Sequence, residues 1–179
     1  MKLRLSLYTV LVVLCFSCKL ENKKESNQEN KQEAEELPSE WTAFLNNLET
    51  KNKVAFKKAS GETIYCYDCL ENTPTEMEEM VLLRETDSLW YDKIYEDLVY
   101  IPIDSFIQND YDILFNPKFI HLLKENETLF RYNEESGIDR LHIYVTTTPP
   151  TAFFEGGQHS FSFSKMNDEW KLTEISTIP

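Results

Sequence analysis

Cys66-Tyr67-Asp68-Cys69 is the local run whose residue types and spacing could do chemistry. Two thiols at this spacing can close a local disulfide, cycle as a redox dithiol, supply half of a zinc site, or lie free and buried. A zinc ion would need its remaining ligands from His121, His142, His159 or carboxylates, and no second C-x-x-C exists. Asp68, placed between the thiols, disfavours a thiolate and so weakens a nucleophile. The balance favours a structural disulfide between Cys66 and Cys69, with the other readings open. The histidines add no nucleophile–histidine–acid set. His142 falls on the outward parity of a strand, His159 beside Gly156-Gly157 in a loop, and His121 on a helix with Leu122 and Leu123. Ser160 next to His159 is adjacency only, because strand neighbours point to opposite faces. No catalytic residue, cofactor or metal is assigned.

A third cysteine has a different context. Lys2 and Arg4 precede an apolar run of twelve residues, Leu5 to Phe16, which stops at Ser17-Cys18-Lys19. A membrane-spanning helix needs about twenty apolar residues, so the run reads as a signal peptide. Leu14-Cys15-Phe16-Ser17-Cys18 resembles the cleavage box of bacterial lipoprotein precursors, particularly those of Bacteroidota. It departs from that pattern at Cys15 and Phe16. The resemblance implies removal of residues 1–17 and acylation of Cys18 with palmitate-type chains. The protein would then be held at the outer membrane or the periplasmic face of the inner membrane. Residues 19–36 are charged or amide-bearing apart from Leu20, Ser26 and Ala34. They cannot bury apolar surface and read as a tether, residues 18–37, with a reach of roughly 60 Å when extended.

The chain carries a net charge of −13, which becomes −15 without Lys2 and Arg4. Nucleic acid and anionic lipid are poor partners for such a surface. Membrane contact is expected through the lipid alone.

The elements that must position Cys66 and Cys69 belong to one domain, residues 38–179. Ser39 is placed to cap a helix carrying Trp41, Phe44, Leu45 and Leu48 at helical spacing. Asn52 to Lys58 forms a short turn with Val54 and Phe56 inward, ended by Gly61. Ile64 to Tyr67 reads as extended. Thr73-Pro74 opens a helix with Met77, Met80 and Val81 on one face. Asp87 caps a segment with Trp90, Ile94 and Leu98. Asp104 caps one bearing Phe106, Ile107, Tyr111 and Leu114. Asn116-Pro117 caps one bearing Phe119, Ile120 and Leu123. The period then becomes two: Leu129 to Tyr132, Leu141 to Val145, Phe161 to Phe163, and Trp170 to Leu172. Glu134 to Gly137 and Asn167-Asp168 turn, Pro149-Pro150 breaks a strand, and the parity change at Ile175 predicts a bulge. The fold class is α+β, with N-terminal helices packed on a curved antiparallel β-meander.

Helices followed by a meander ending in Trp170-x-Leu172-x-x-Ile175 resemble the nuclear-transport-factor-two-like cone fold, shared by ketosteroid-isomerase-like proteins. Ile103-Asp104-Ser105-Phe106, Asn116-Pro117-Lys118-Phe119-Ile120, Glu155-Gly156-Gly157-Gln158-His159 and Thr177-Ile178-Pro179 resemble stretches of Bacteroidota lipoproteins. The cone resemblance implies a pocket open at one end, for small apolar ligands or protein contacts, and a possible homodimer through the sheet. It transfers no catalytic residue, since no Asp or Tyr here matches the isomerase positions. Separately, Cys66-x-x-Cys69 with Pro74 and the later Pro149-Pro150-Thr151 is similar to thioredoxin-like proteins, without their W-C-G-P flank. The expected function is therefore a lipid-anchored, non-enzymatic domain binding a small apolar ligand or an envelope protein. The alternative is a redox protein using Cys66 and Cys69.

Overall fold

The computed structural model describes residues 37–178. The expected signal peptide, Cys18 and the expected tether up to residue 36 lie outside the described residues.

Helix α1, Ser39–Glu49, begins one residue earlier than its serine suggests. Pro38 occupies the N-cap, and the Ser39 hydroxyl donates to Glu40 instead. Trp41, Phe44 and Leu48 are buried along one face. Helix α2, Lys53–Lys58, is capped by Asn52, whose side-chain oxygen accepts from the Ala55 N–H at 3.0 Å. Phe56 is buried, whereas Val54 is 82% exposed. Two residues apart on a helix means about 200° of rotation, so the two cannot both face inward. Gly61 is not the helix stop: Ala59 ends α2, and Gly61 lies in strand β1, Ser60–Tyr65.

A 3-10 turn, Asp68–Glu71, leads to helix α3, Pro74–Thr86. The start of α3 is a full capping box. The Thr73 hydroxyl accepts from the Glu76 N–H, and the Glu76 carboxylate accepts from the Thr73 N–H at 2.8 Å. Short helix α4, Trp90–Asp92, runs into a π-helical turn, Lys93–Leu98. Ile94 is buried, whereas Leu98, at the end of the turn, is 43% exposed at the mouth of a cleft under α3. Strand β2, Tyr100–Pro102, precedes α5, Ile103–Asn109, and α6, Tyr111–Leu114. Pro102 takes the N-cap of α5, and Asp104 sits in its first turn, paired with Lys57. In α7, Pro117–Glu125, Asn116 caps as its sequence implies, accepting from the Phe119 N–H at 3.0 Å.

Strands β3, Thr128–Glu135, β4, Ile138–Thr148, β5, Gly157–Met166, and β6, Glu169–Ile178, form the antiparallel meander. Two of its turns place both central residues at positive φ, Ser136-Gly137 and Asn167-Asp168. That twist matches the strands they join. Ser162 pairs with Glu174 and Phe163 with Leu172, which leaves Thr173 as the extra residue of a bulge. The bulge lets Leu172 and Ile175, of opposite parity, both bury on the helix side.

The sheet is not purely antiparallel. Its order is β2-β1-β6-β5-β4-β3, and β1 joins β6 in parallel, Ser60 opposite Leu172 and Tyr65 opposite Glu174. The class is α+β with a six-stranded mixed sheet. Period two identifies a strand but carries no information about a partner over a hundred residues away, so β1 could not be assigned an orientation from its own sequence.

The helices cover one face of this sheet. Leu141, Ile143, Val145, Phe161, Phe163, Leu172 and Ile175 meet Trp41, Phe44, Phe56, Phe106, Tyr111 and Phe115 there. Ring centroids lie 5.1 Å apart for Trp41–Phe161, 5.5 Å for Phe44–Phe161 and 4.9 Å for Phe56–Tyr111. The aromatics of the helices therefore fill the space between the layers with one another.

Candidate functional site

Cys66 follows β1 directly and donates its N–H to the Val99 carbonyl at 2.9 Å. Cys69 lies one 3-10 turn on. Their Cα atoms are 5.4 Å apart and their sulfurs are at disulfide-bonding distance. Both residues are buried. Around them stands a polar-aromatic cluster. The Tyr67 and Tyr95 rings stack at 5.4 Å, Tyr91 lies 4.6 Å from Tyr95, and Arg84 donates to the Tyr67 hydroxyl at 2.8 Å while pairing with Glu71. Asp68 accepts from the Thr177 hydroxyl at 2.8 Å. This carboxylate is thus tied to β6.

Pro149 to Thr151 follow β4, at the same end of the sheet as Cys66. Strands β6 and β5 stand between β4 and β1. At about 4.8 Å per strand, the separation is roughly 14 Å. The sequence places cysteines and prolines as thioredoxin-like proteins do, but the fold does not bring these prolines to the sulfurs.

The histidines acquire partners that the sequence did not suggest. His142 Nδ1 lies 2.9 Å from Ser162 Oγ, and its Nε2 lies 3.9 Å from Glu135. The signal was the cross-strand register, which sets His142 opposite Ser162. The line of serine, histidine and carboxylate is not a hydrolase site. Ser162 is only 1% exposed, so its hydroxyl cannot reach a substrate. Its backbone is paired on both sides within the sheet, which leaves no free amides to hold an oxyanion. His159 Nδ1 contacts the Thr147 hydroxyl at 2.8 Å, and the Phe119 ring lies 4.5 Å away. Burial holds the His159 pKa below the usual imidazole value, against the opposing pull of Asp68. Among the described residues, no three His, Cys, Asp or Glu side chains are arranged to hold a metal ion.

Helix α3 carries one of the domain's apolar surface patches. On its inner side a cleft of about 400 Å³ is walled by Leu70, Met80, Leu83, Leu98 and Ile101, with Glu76 and Asp110 among its polar groups. On its outer side Met77, Val81 and Leu82 are half or more exposed. The sequence expectation of one face for Met77, Met80 and Val81 fails because Met80 turns toward the cleft, about 60° from Met77 around the helix and about 100° from Val81. The face of the sheet away from the helices carries a third depression, about 520 Å³, of mixed polarity and bordered by Tyr65, Tyr100, Ile138, Arg140, Met166 and Glu174.

Asp110, between α5 and α6, is 4% exposed and accepts from Asn72 Nδ2 at 2.9 Å. Burial raises its pKa, Glu76 adds to the rise, and the Asn72 hydrogen bond opposes it. A carboxyl with a raised native pKa favours folding below its unfolded value, and that contribution is lost as pH rises through the native value. Asp110→Asn keeps an acceptor for Asn72 and removes the buried charge. Its melting temperature at pH 7 should exceed that of the parent, and the difference should shrink as pH falls toward about 4. A constant difference between pH 7 and pH 4 would contradict the assignment.

No described helix is long and apolar enough to cross a membrane. Compared with known proteins, the chain matches no family model, no curated protein and no solved structure.

Proposed function

We propose that this is a lipid-anchored cell-envelope protein whose domain is a non-enzymatic binding module for another envelope protein. Cys18 carries the acyl anchor, and the polar stretch after it holds the domain off the bilayer. The observation that carries the binding reading is the contrast between the two sides of α3 and the interior. The interior is occupied by the buried rings of Trp41, Phe44, Phe56 and their neighbours, while Met77, Val81 and Leu82 are half or more exposed. Exposed apolar side chains gathered on one element favour a contact surface over an internal ligand chamber. The proposed ancestry is the cone fold. The helix-first order and the bulged meander support it, with β1 and β2 extending the sheet beyond β6.

A small apolar ligand is the second reading, favoured by the cleft beneath α3. The redox alternative has less support. The Cys66 and Cys69 sulfurs are buried, and stacked tyrosines stand beside them.

The test is site-directed photo-cross-linking in intact cells, with native mass spectrometry of the mature domain. A photoreactive residue at position 81 should give discrete protein adducts that the same residue at Lys165, on the far hairpin, does not give. The mature domain should run at its bare mass. A stoichiometric small-molecule adduct with no protein adducts at position 81 would replace the protein reading with the ligand reading.

A further inference from the structure

The outer face of α3 has an arrangement that narrows the class of partner. Met77 and Val81 form one apolar ridge, Leu82 forms another, and Glu78 and Glu85 run between them. Around the helix axis the five residues span about 140°, with both carboxylates near the middle. Glu78 and Glu85 are seven residues apart, two turns, or about 10 Å along the axis. The cation of this helix, Arg84, lies about 20° outside the Met77 edge of this face and is engaged by Glu71 and Tyr67.

We propose that this face docks a cationic amphipathic helix of a partner protein, with Lys or Arg side chains seven residues apart meeting Glu78 and Glu85. The partner's apolar residues would cover Met77, Val81 and Leu82. This rests on the protein-binding reading above and names the partner's chemistry. Charge decides between occupants. A second copy of this chain would set the same two carboxylates against themselves, and an anionic lipid surface would repel them. A helix with cations along its seam satisfies both features, since buried apolar area supplies affinity and complementary charge sets register. A peptide carrying charge alone leaves the ridges uncovered.

The experiment uses the mature domain and a synthetic helical peptide of Leu and Lys, with Lys repeating every seven residues along its apolar seam. Two controls share its composition or its pattern: a scrambled Leu/Lys peptide, and one with Glu replacing Lys. Binding is followed by fluorescence anisotropy at physiological salt and located by amide chemical shifts. The seam peptide should bind at least about tenfold more tightly than either control, with shifts concentrated on α3. Val81→Ser with Leu82→Ser should weaken it by about tenfold while circular dichroism shows an intact fold. Glu78→Lys with Glu85→Lys should reverse the preference toward the Glu peptide. Equal binding of seam and scrambled peptides, or shifts centred elsewhere, overturns the proposal. So does a seam peptide that fails to compete with the cross-link at position 81, although that result leaves the protein-binding reading standing. Absence of any cross-link at position 81 overturns both.

Discussion

Phe44→Ala is expected to cost the domain about 3–5 kcal/mol, the range for deleting a large side chain from a packed core. Phe44 sits where the layers meet. Its ring lies 5.2 Å from Trp41, 6.0 Å from Phe56, 5.8 Å from Phe115, 5.5 Å from Phe161 and 5.8 Å from Phe163. These partners come from α1 itself, α2, the segment between α6 and α7, and β5. The cavity left by an alanine would thus be bordered by four separate parts of the chain. Collapse around it would require several elements to shift together, which puts the cost toward the upper end. Domains of this size have total stabilities of about 5–15 kcal/mol, so the variant should be marginal at 37 °C. Urea unfolding should show a lower midpoint with little change in slope. Val54→Ala, on the exposed side of α2, is the matched control and should stay within about 0.5 kcal/mol of the parent. Comparable losses from both substitutions would mean that the helices do not pack on the sheet as described.

That contrast between Phe44 and Val54 also marks where sequence reading succeeded. Long amphipathic segments with mechanistic caps were legible: α1 from Trp41, Phe44 and Leu48, α7 from Asn116-Pro117, α3 from Thr73-Pro74. The bulge near Ile175 was legible because two residues of opposite parity both demanded burial. Short elements were not, since six residues such as α2 give too few positions to fix which side faces in. The parallel docking of β1 on β6 was invisible because its partner is remote in sequence. The π-helical turn was invisible because six residues carry too short an apolar pattern to distinguish i→i+5 from i→i+4 winding.

The candidate site divides in the same way. A Cys66–Cys69 disulfide was the favoured of four readings of the local spacing, and the structure places the sulfurs within bonding distance. The His142–Ser162 contact required the β4–β5 register, which sequence parity alone leaves free. The exposed face of α3 was the least legible. Its apolar residues number enough for a core face, but the neighbouring elements cover only the side with Met80 and Leu83. What remains outside is decided by packing, not by the residues themselves.

The second large effect concerns the anchor. If Cys18 is the proposed anchor, an alkyne-tagged palmitate should label the parent protein, Cys18→Ala should abolish that labelling, and Cys15→Ala should leave it intact. The change is expected to be all-or-none because the proposed anchor rests on a single cysteine. Its consequence for membrane retention follows from chain number. One acyl chain gives only marginal attachment and several give a stable one, so the proposed anchoring would depend on full modification. Little in the rest of the chain would substitute. The net charge is −13, and the exposed apolar ridge of α3 runs beside Glu78 and Glu85, which anionic headgroups repel. The alanine variant keeps its leader where cleavage depends on the modified cysteine. The residual membrane association of that precursor should then depend on Leu5 to Phe16, and should disappear when the domain is exported behind a conventionally cleaved signal. Continued palmitate labelling of Cys18→Ala would remove the anchor from that residue. The tether would then have to be reassigned, since a polar stretch of eighteen residues between anchor and domain serves a purpose only if the anchor precedes it.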